Sequence, residues 1–338
     1  MRNFLVRYNL FIIVVIVYIF FHFTTPFFSS SFNLLTLARE GAELGIICIA
    51  VTLVLILGRL DISVGSTMAV SAMIMIIGFK TFEIHWGLLI FLCIFFGFVV
   101  GLINGYLSAI IGIPSFIATL GTLILLRGLL QWAAATDWIR EANYIFSEDE
   151  NFLFIGNGDL FGLIPLSLFA MIIIFILTLL FLNFTKIGTS IYALGGNFQS
   201  ALRAGIRVKL IEIGVFAFTG ICAAISGIFL ASRLDSVTYQ TGQYLEFQVL
   251  IAVILGGTSI AGGIGNIWGT ILGIALIAIL NNGMVMMAVD RDVQDIIIAI
   301  FLLFALFADN YLHNLKSDKN QKWQIADFHL LKNFFGKK

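Results

Sequence analysis

Ten apolar stretches run through the chain, near residues 10–28, 43–57, 62–79, 87–111, 115–133, 163–183, 211–231, 246–262, 267–287 and 293–309. Most approach the roughly 20 apolar residues that a helix needs to cross a bilayer core. The fold class this imposes is all-α, a polytopic membrane protein of about ten transmembrane helices. Composition agrees, since 60% of the residues are apolar and only 11% are charged, against the roughly 25% charged of a soluble domain. An ordinary cytoplasmic enzyme is thereby excluded. Three prolines and 34 phenylalanines suit long, lipid-facing helices.

Nineteen basic residues balance nineteen acidic ones, so no net field recruits nucleic acid. Their distribution carries the information instead. Ten crossings place both termini on one side, and basic residues gather in the cytoplasmic loops of membrane proteins. With the N-terminus cytoplasmic, the inner segments hold Arg2, Arg7, Arg59, Lys186, Arg203, Arg207, Lys209 and six tail lysines, thirteen of the nineteen. The outer segments hold five: Arg39, Lys80, Arg140, Arg233 and Arg291. Acids run the other way, with Asp137, Glu141, Glu148, Asp149, Glu150, Asp159, Asp235, Asp290 and Asp292 on outer loops or at outer ends. Both termini are therefore expected in the cytoplasm. Arg2 and Arg7 precede an apolar run with no small-residue cleavage site after it, so a retained span ending near Phe27, Phe28 and Ser29 is expected rather than a signal peptide. Cys48, Cys93 and Cys222 sit far apart inside apolar runs and read as buried small residues. His22, His85, His313 and His329 are scattered, and no metal site is expected.

Two segments are too irregular for plain spans. The first, Gly58-Arg59-Leu60-Asp61-Ile62-Ser63-Val64-Gly65-Ser66, interrupts an apolar run from 42 to 79 that is too long for one crossing. A tight inner turn and a bend within the membrane both fit it, because glycine supplies the backbone freedom for either. Asp61 and Ser63 can cap the helix that follows. A carboxylate beside a broken helix also suits the lining of a polar path, since ionisable groups at membrane depth are costly. The second segment, 255–266, has five glycines in twelve residues, LGGTSIAGGIGN. It lacks the lysine and the order of a nucleotide-binding P-loop, so a close helix crossing or a half-helix break is expected there.

The loop 184–210 contains Asn197, a fitting N-cap for a short helix over 198–205 that Gly205 can end. Such a helix serves either as a connector or as a docking peg for a soluble partner. The outer loop 134–162 mixes acids with Trp132, Trp138, Tyr144, Phe146 and Phe152, as would a rim that receives a protein or an interfacial aromatic belt. Residues 311–338 form a basic cytoplasmic tail behind a transmembrane domain over 1–310. That tail suits an anionic leaflet, a soluble partner or free solvent. Polar residues placed to line a path or gate are Asp61, Ser63, Asn104, Thr119, Thr122, Arg127, Gln248, Thr258, Ser259, Asn281 and Asn282. For each serine or threonine a bond to a neighbouring helix is the commoner use. Arg127, near the middle of a span, needs a partner, and Asp61 is one candidate.

The segments GRLDISVGS (58–66), GLINGYL (101–107), IPSFIATLGTLILLRG (113–128), GTSIYALGGNFQSALRAGI (188–206), LEFQVLIAVILGGTSIAGGIGNIWGT (245–270) and LNNG (280–283) resemble, in order, the permease subunits of monosaccharide ATP-binding-cassette importers. Those include the ribose, xylose, rhamnose and autoinducer-2 transporters. Members of that family usually begin the first motif Gly-Gly-Ile-Asp, whereas Arg59 and Leu60 stand between Gly58 and Asp61 here.

The resemblance implies a homodimer, or a pair of related permeases, in the bacterial inner membrane. Each copy would dock on a cytoplasmic ATPase and receive a monosaccharide or small polyol from an external binding protein. Gly195, Gly196, Asn197, Ala201, Arg203 and Gly205 would then belong to the ATPase coupling loop. ATP would be used by the partner, so this chain would bind no cofactor and would have no catalytic residues. Three alternatives are weighed against this reading. A branched-chain amino acid permease shares the implied fold, but the segments at 58–66 and 188–206 favour sugars. A secondary sugar transporter driven by protons would need several acids deep in its spans, where Asp61 stands nearly alone. An intramembrane protease would need a Ser/His or paired-aspartate constellation, which the spans lack.

Overall fold

All three prolines of the chain fall between helices: Pro26 lies in a turn, and Pro114 and Pro165 stand at helix N-caps. Long uninterrupted helices result. A computed structural model describes residues 2–144, 147 and 149–307. In chain order the elements are α1 (Arg2–Thr24), α2 (Ser31–Ile56), α3 (Val64–Lys80), α4 (Trp86–Tyr106) with a π-turn Leu107–Ile111, α5 (Ser115–Ala134), α6 (Asp137–Tyr144) and α7 (Glu150–Asn157). A two-residue hairpin, Asp159–Leu160 with Ile164–Pro165, leads into α8 (Leu166–Phe184), α9 (Lys186–Gly196), α10 (Phe198–Arg203), α11 (Val208–Leu234), α12 (Leu245–Leu255) and α13 (Ile267–Met286). A last described helix, α14, covers 291–307. The architecture is all-α. Among the described residues five helices are long and apolar enough to cross a membrane: Trp86–Ile111, Ser115–Ala134, Leu166–Phe184, Val208–Leu234 and Ile267–Met286. Leu10–Thr24, Val64–Lys80 and Leu245–Leu255 are shorter apolar helices. The basic tail 311–338, together with Phe146 and Glu148 of the outer loop, lies outside the described residues.

Helix α2 is the central pillar. From Gly41 to Ile56 every one of its residues is buried, the pattern of a helix that meets protein on all sides. It packs on α8, α11, α12 and α13, and its apolar stripes enter three core clusters: one with α12, one with α8 and Cys222 of α11, and one with α9, α10 and Phe216 of α11. Cys48, Cys93 and Cys222 are buried free thiols, as expected.

The most extensive seam joins α4 to α11. Gly97, Gly101 and Gly105 recur every four residues on one face of α4, and a Cβ on any of them would overlap α11 at Gly220, Phe216 or Ile213. Small residues at that spacing let two backbones approach closely where lipid offers no hydrophobic drive between helices. Two members of this stripe, Gly101 and Gly105, lie in GLINGYL.

The irregular segments fall where the sequence places them, with one revision. Helix α2 stops at Ile56, Gly58 takes a left-handed φ of 71°, and helix resumes at Val64. The second break runs from Gly256 to Asn266. The stretch expected as a span over 246–262, however, is helical only from Leu245 to Leu255, about 16 Å at 1.5 Å per residue. A half-helix therefore stands there, entered by the non-helical segment 235–244. Residues 25–30 form a turn, so the first helix ends before Phe27.

Gly101→Ala is expected to lower the melting temperature of the detergent-solubilised chain, because overpacking a filled contact costs about 1–3 kcal/mol. Gly121→Ala on α5 serves as the contrast: a Cβ there meets nothing within 4 Å, and the melt should not fall.

Candidate functional site

The α9–α10 end of the molecule brings three distant sequence segments onto one point. Thr185 caps α9 by accepting the Gly188 N–H at 3.0 Å. Asn197 then leaves the helical region and caps α10, its side chain accepting the Ser200 N–H at 2.9 Å. Gly205, at φ 77°, ends this short helix as expected. Ala201 is buried in the cluster that holds Leu53, Ile56, Leu194 and Phe216, which anchors α10 to α2 and α11. Arg203 closes α10, and Gly196 packs under Gly263, where a Cβ would sit 2.7 Å from the Gly196 Cα.

Gly195 presses on the end of α2, and a side chain there would overlap the Ile56 carbonyl oxygen. That same oxygen accepts the Gly263 N–H at 2.8 Å. Gly262, at φ 87°, stacks on Gly58. Tyr192 of α9 donates to the Gly265 carbonyl at 3.3 Å, and partial burial pushes its phenol up. The α9–α10 pair is thus seated backbone to backbone on both helix breaks. Thr258 and Ser259 belong to this junction: Ser259 accepts the Gly262 N–H through its carbonyl and the Ala261 N–H through its hydroxyl.

One turn deeper, the 58–66 break is held by a polar network. Asp61 is 3% exposed and accepts both the N–H and the hydroxyl of Ser63, at 2.9 and 2.7 Å. Asn104 of α4 donates to the Ser63 hydroxyl at 3.0 Å and accepts from Thr122 at 2.6 Å. The Leu60 and Ile62 N–H groups, left without helical partners, reach the hydroxyls of Ser115 and Thr119 on α5. Asp61, Ser63, Asn104 and Thr119 therefore form one site, and in this conformation it is closed and fully packed.

Arg59 ties that network to α10. Its guanidinium contacts both oxygens of Glu212 on α11, at 2.9 and 3.1 Å, and lies over the Phe198 ring at 5.9 Å. Glu212 also accepts from Ser108 at 2.6 Å.

Arg127 does not join Asp61, the pairing that the sequence leaves open. Thr119 bonds the residue next to Asp61, and Arg127 lies eight residues further along α5, about 12 Å away. Its guanidinium instead donates to the carbonyls of Thr241, at 2.5 Å, and Gly242, and the carboxylate acting on it is that of Glu246. Asn281 and Gln248 pair with each other at 2.8 Å, and Asn282 pairs with Asn33 at 2.8 Å. The expected path residues thus divide between the junction, the Asp61 network and the opposite end.

Sequence reasoning missed three buried carboxylates, Glu43, Glu212 and Glu246, all at most 5% exposed. Asp61 is not nearly alone. Glu212 and Glu246 lie in the first turns of α11 and α12, and Glu43, in the middle of α2, stands at the edge of the apolar stretch 43–57; an apolar-run search stops reading at all three. Glu43 is held by Arg233 at 2.7 and 2.9 Å, with Glu40 3.5 Å from the same guanidinium. At this α6–α7 end all five basic residues assigned to the outside are ion-paired: Arg39 with Asp159, Lys80 with Asp235, Arg140 with Asp137, Arg233 with Glu43 and Arg291 with Asp295. At the other end Lys186, Arg203, Arg207 and Lys209 make no ion pair among the described residues.

A family model described as the branched-chain amino acid transport system permease component matches residues 33–306. The ribose import permease protein RbsC of Haemophilus influenzae is 35% identical over 315 residues, covering 93% of this chain and 96% of that protein. The probable ABC transporter permease protein YphD of Escherichia coli is 31% identical over 314 residues, covering 93% and 92%. The autoinducer 2 import system permease protein LsrC of Yersinia pseudotuberculosis is 33% identical over 268 residues, covering 79% and 74%. No solved structure matches the chain.

Glu212→Leu strands Arg59 and Ser108 and is expected to cost about 1–3 kcal/mol in a detergent melt. That is below the usual range for a broken buried pair, because the Arg59 side chain is 33% exposed. Asp61→Asn and Arg127→Gln act on separate networks, so their losses in melting temperature should add in the double variant.

Proposed function

The chain belongs to the family of branched-chain amino acid transport system permease components, and from that membership we propose that it is the membrane-spanning permease subunit of an ATP-binding-cassette importer carrying a monosaccharide. Its similarity to permeases named for ribose and autoinducer 2 over most of their length supports a small polyhydroxylated cargo. It is a transport subunit rather than an enzyme. It works in the inner membrane, with about ten crossings made by α1–α5, α8, α11, α13, α14 and the half-helix α12 together with the segment 235–244 that leads into it, and with both termini in the cytoplasm. The excess of basic residues at the α9–α10 end supports that orientation.

One observation carries the mechanism: the α9–α10 pair rests on both helix breaks through Gly195, Gly262 and Gly263. A cytoplasmic ATPase that grips this pair moves the end of α2 directly, since no flexible side chain intervenes. Arg59, in contact with Phe198 and Glu212, carries the same displacement toward Asp61 and Ser63. Lys186, Arg203, Arg207 and Lys209, without ion pairs among the described residues, give the docking face a positive field for an acidic groove on the ATPase. On the other side, the loop 134–162 receives a sugar-loaded binding protein. A second copy of the permease, or a paralogue, completes the translocation unit.

In proteoliposomes the chain alone should accumulate no labelled sugar. Adding the ATPase and binding protein encoded with it should produce uptake that requires ATP. Uptake by the chain alone would reject the reading, and ATP-driven uptake of leucine in place of D-ribose, D-xylose or L-rhamnose would return the amino acid alternative. Gly195→Leu should abolish uptake, because its side chain would have to displace the Ile56 carbonyl.

A further inference from the structure

A cavity of about 250 Å³ opens at the α6–α7 end, between α2, α3, α11, α12, α13 and α14. It is smaller than the roughly 300–1,000 Å³ of pockets for drug-sized ligands, so it suits a single small molecule.

Both guanidiniums on its walls are already paired, with one carboxylate in excess. Glu43 and Glu40 are held by Arg233, and Arg291 faces Asp295 at 3.7 Å. A zwitterionic ligand needs a cation and an anion of its own, and here it would have to break an existing pair. A neutral ligand meets no such cost.

Neutral hydrogen-bonding groups stand beside these pairs. The Gln248 side-chain carbonyl accepts from the Asn281 amide at 2.8 Å. This leaves the Gln248 NH₂ as a donor and the Asn281 carbonyl as an acceptor, neither with a hydrogen bond to another described residue. Gln243 adds a third amide where the chain enters α12. Adjacent donor and acceptor groups match a vicinal diol, which donates and accepts at neighbouring atoms. Leu44 and Met68 supply an apolar wall for the C–H face of a sugar ring. Sugars present both kinds of surface, and branched-chain amino acids present no diol.

We infer that this cavity is a binding site within the permease for one neutral monosaccharide, oriented by Gln248 and Asn281 and walled by the closed Glu43–Arg233 pair. The inference rests on the sugar-permease reading and adds the place and the contacts. With only amides making the contacts the site is weak, which favours release onward along the pathway.

The full chain, assembled with its ATPase and binding protein in liposomes, provides the test. Gln243→Cys places one thiol at the cavity, while Cys48, Cys93 and Cys222 are buried and leave a low background for a membrane-impermeant maleimide. D-ribose, D-xylose and L-rhamnose are added separately at millimolar concentration, with leucine as the comparison. At least one sugar should slow labelling several-fold and leucine should not. In the Gln248→Leu/Asn281→Leu double variant that protection should vanish and sugar uptake should fall about tenfold, the scale of one to two lost hydrogen bonds. Unchanged labelling with every sugar, or uptake by the double variant equal to that of the unaltered chain, would overturn the site while the importer reading stands. Leucine uptake by the unaltered chain, with leucine protecting the thiol, would overturn both.

Discussion

A helix that stops among packed neighbours leaves buried peptide groups without helical partners, and the arrangement of this protein follows from how two such breaks are closed. At the first, hydroxyls of Ser115 and Thr119 take the N–H groups of Leu60 and Ile62, and Asp61 takes that of Ser63. At the second, the Ile56 carbonyl takes the Gly263 N–H. Each break is thus closed by residues remote in sequence. That requirement draws α5 to the start of α3 and the 256–266 loop to the end of α2. It also accounts for the concentration of polar residues there: most of them hold backbone in place.

The ion pairs follow a different rule. Zero net charge conceals two unlike ends. At the α6–α7 end each cation is matched, which lets Glu43 and Arg233 sit deep between α2 and α11. At the α9–α10 end Arg59 is paired with Glu212, and Lys186, Arg203, Arg207 and Lys209 make no ion pair among the described residues. A surface of unmatched like charge is mildly self-repelling, so its persistence on a short, well-capped helix pair fits a face made to meet an anionic partner or leaflet.

How much of this could be read from residue order depends on the range of the interaction. The breaks at 58–66 and 255–266 were legible, because a glycine cluster inside an apolar run serves either to interrupt a helix or to let two backbones touch. The cap at Asn197 and the stop at Gly205 were legible from equally local chemistry. The end of α12 is local as well: Gly257 takes a φ of 92° and its N–H bonds the Ile254 carbonyl, so the half-helix break allowed for 255–266 falls there, although the span expected over 246–262 carried the helix past it. The partners of Arg127, Arg59 and Glu43 were not legible. Arg127 meets carbonyls more than 110 positions away, and Glu43 meets Arg233 at a separation of 190 residues. Pairing at that range depends on packing, and residue type alone left Asp61 as reasonable a partner for Arg127 as Glu246.

The position of α2 links the two ends. Glu43 and Ile56 are thirteen residues apart on one helix, about 20 Å, and everything between them is buried. The Ile56 carbonyl is held by the junction, while Glu43 is held by Arg233 at the wall of the polar cavity. A closely packed helix has no room to absorb a shift locally, so a displacement at Ile56 is delivered to the Glu43 end as a rigid movement. The Glu43–Arg233 pair spans α2 and α11, and α11 is itself locked to α4 by the glycine seam. Relative motion of α2 against the α4–α11 unit must therefore alter this pair and the cavity beside it. The charge pair least visible in the sequence thus lies where a movement begun at the α9–α10 pair would change the shape of the polar cavity.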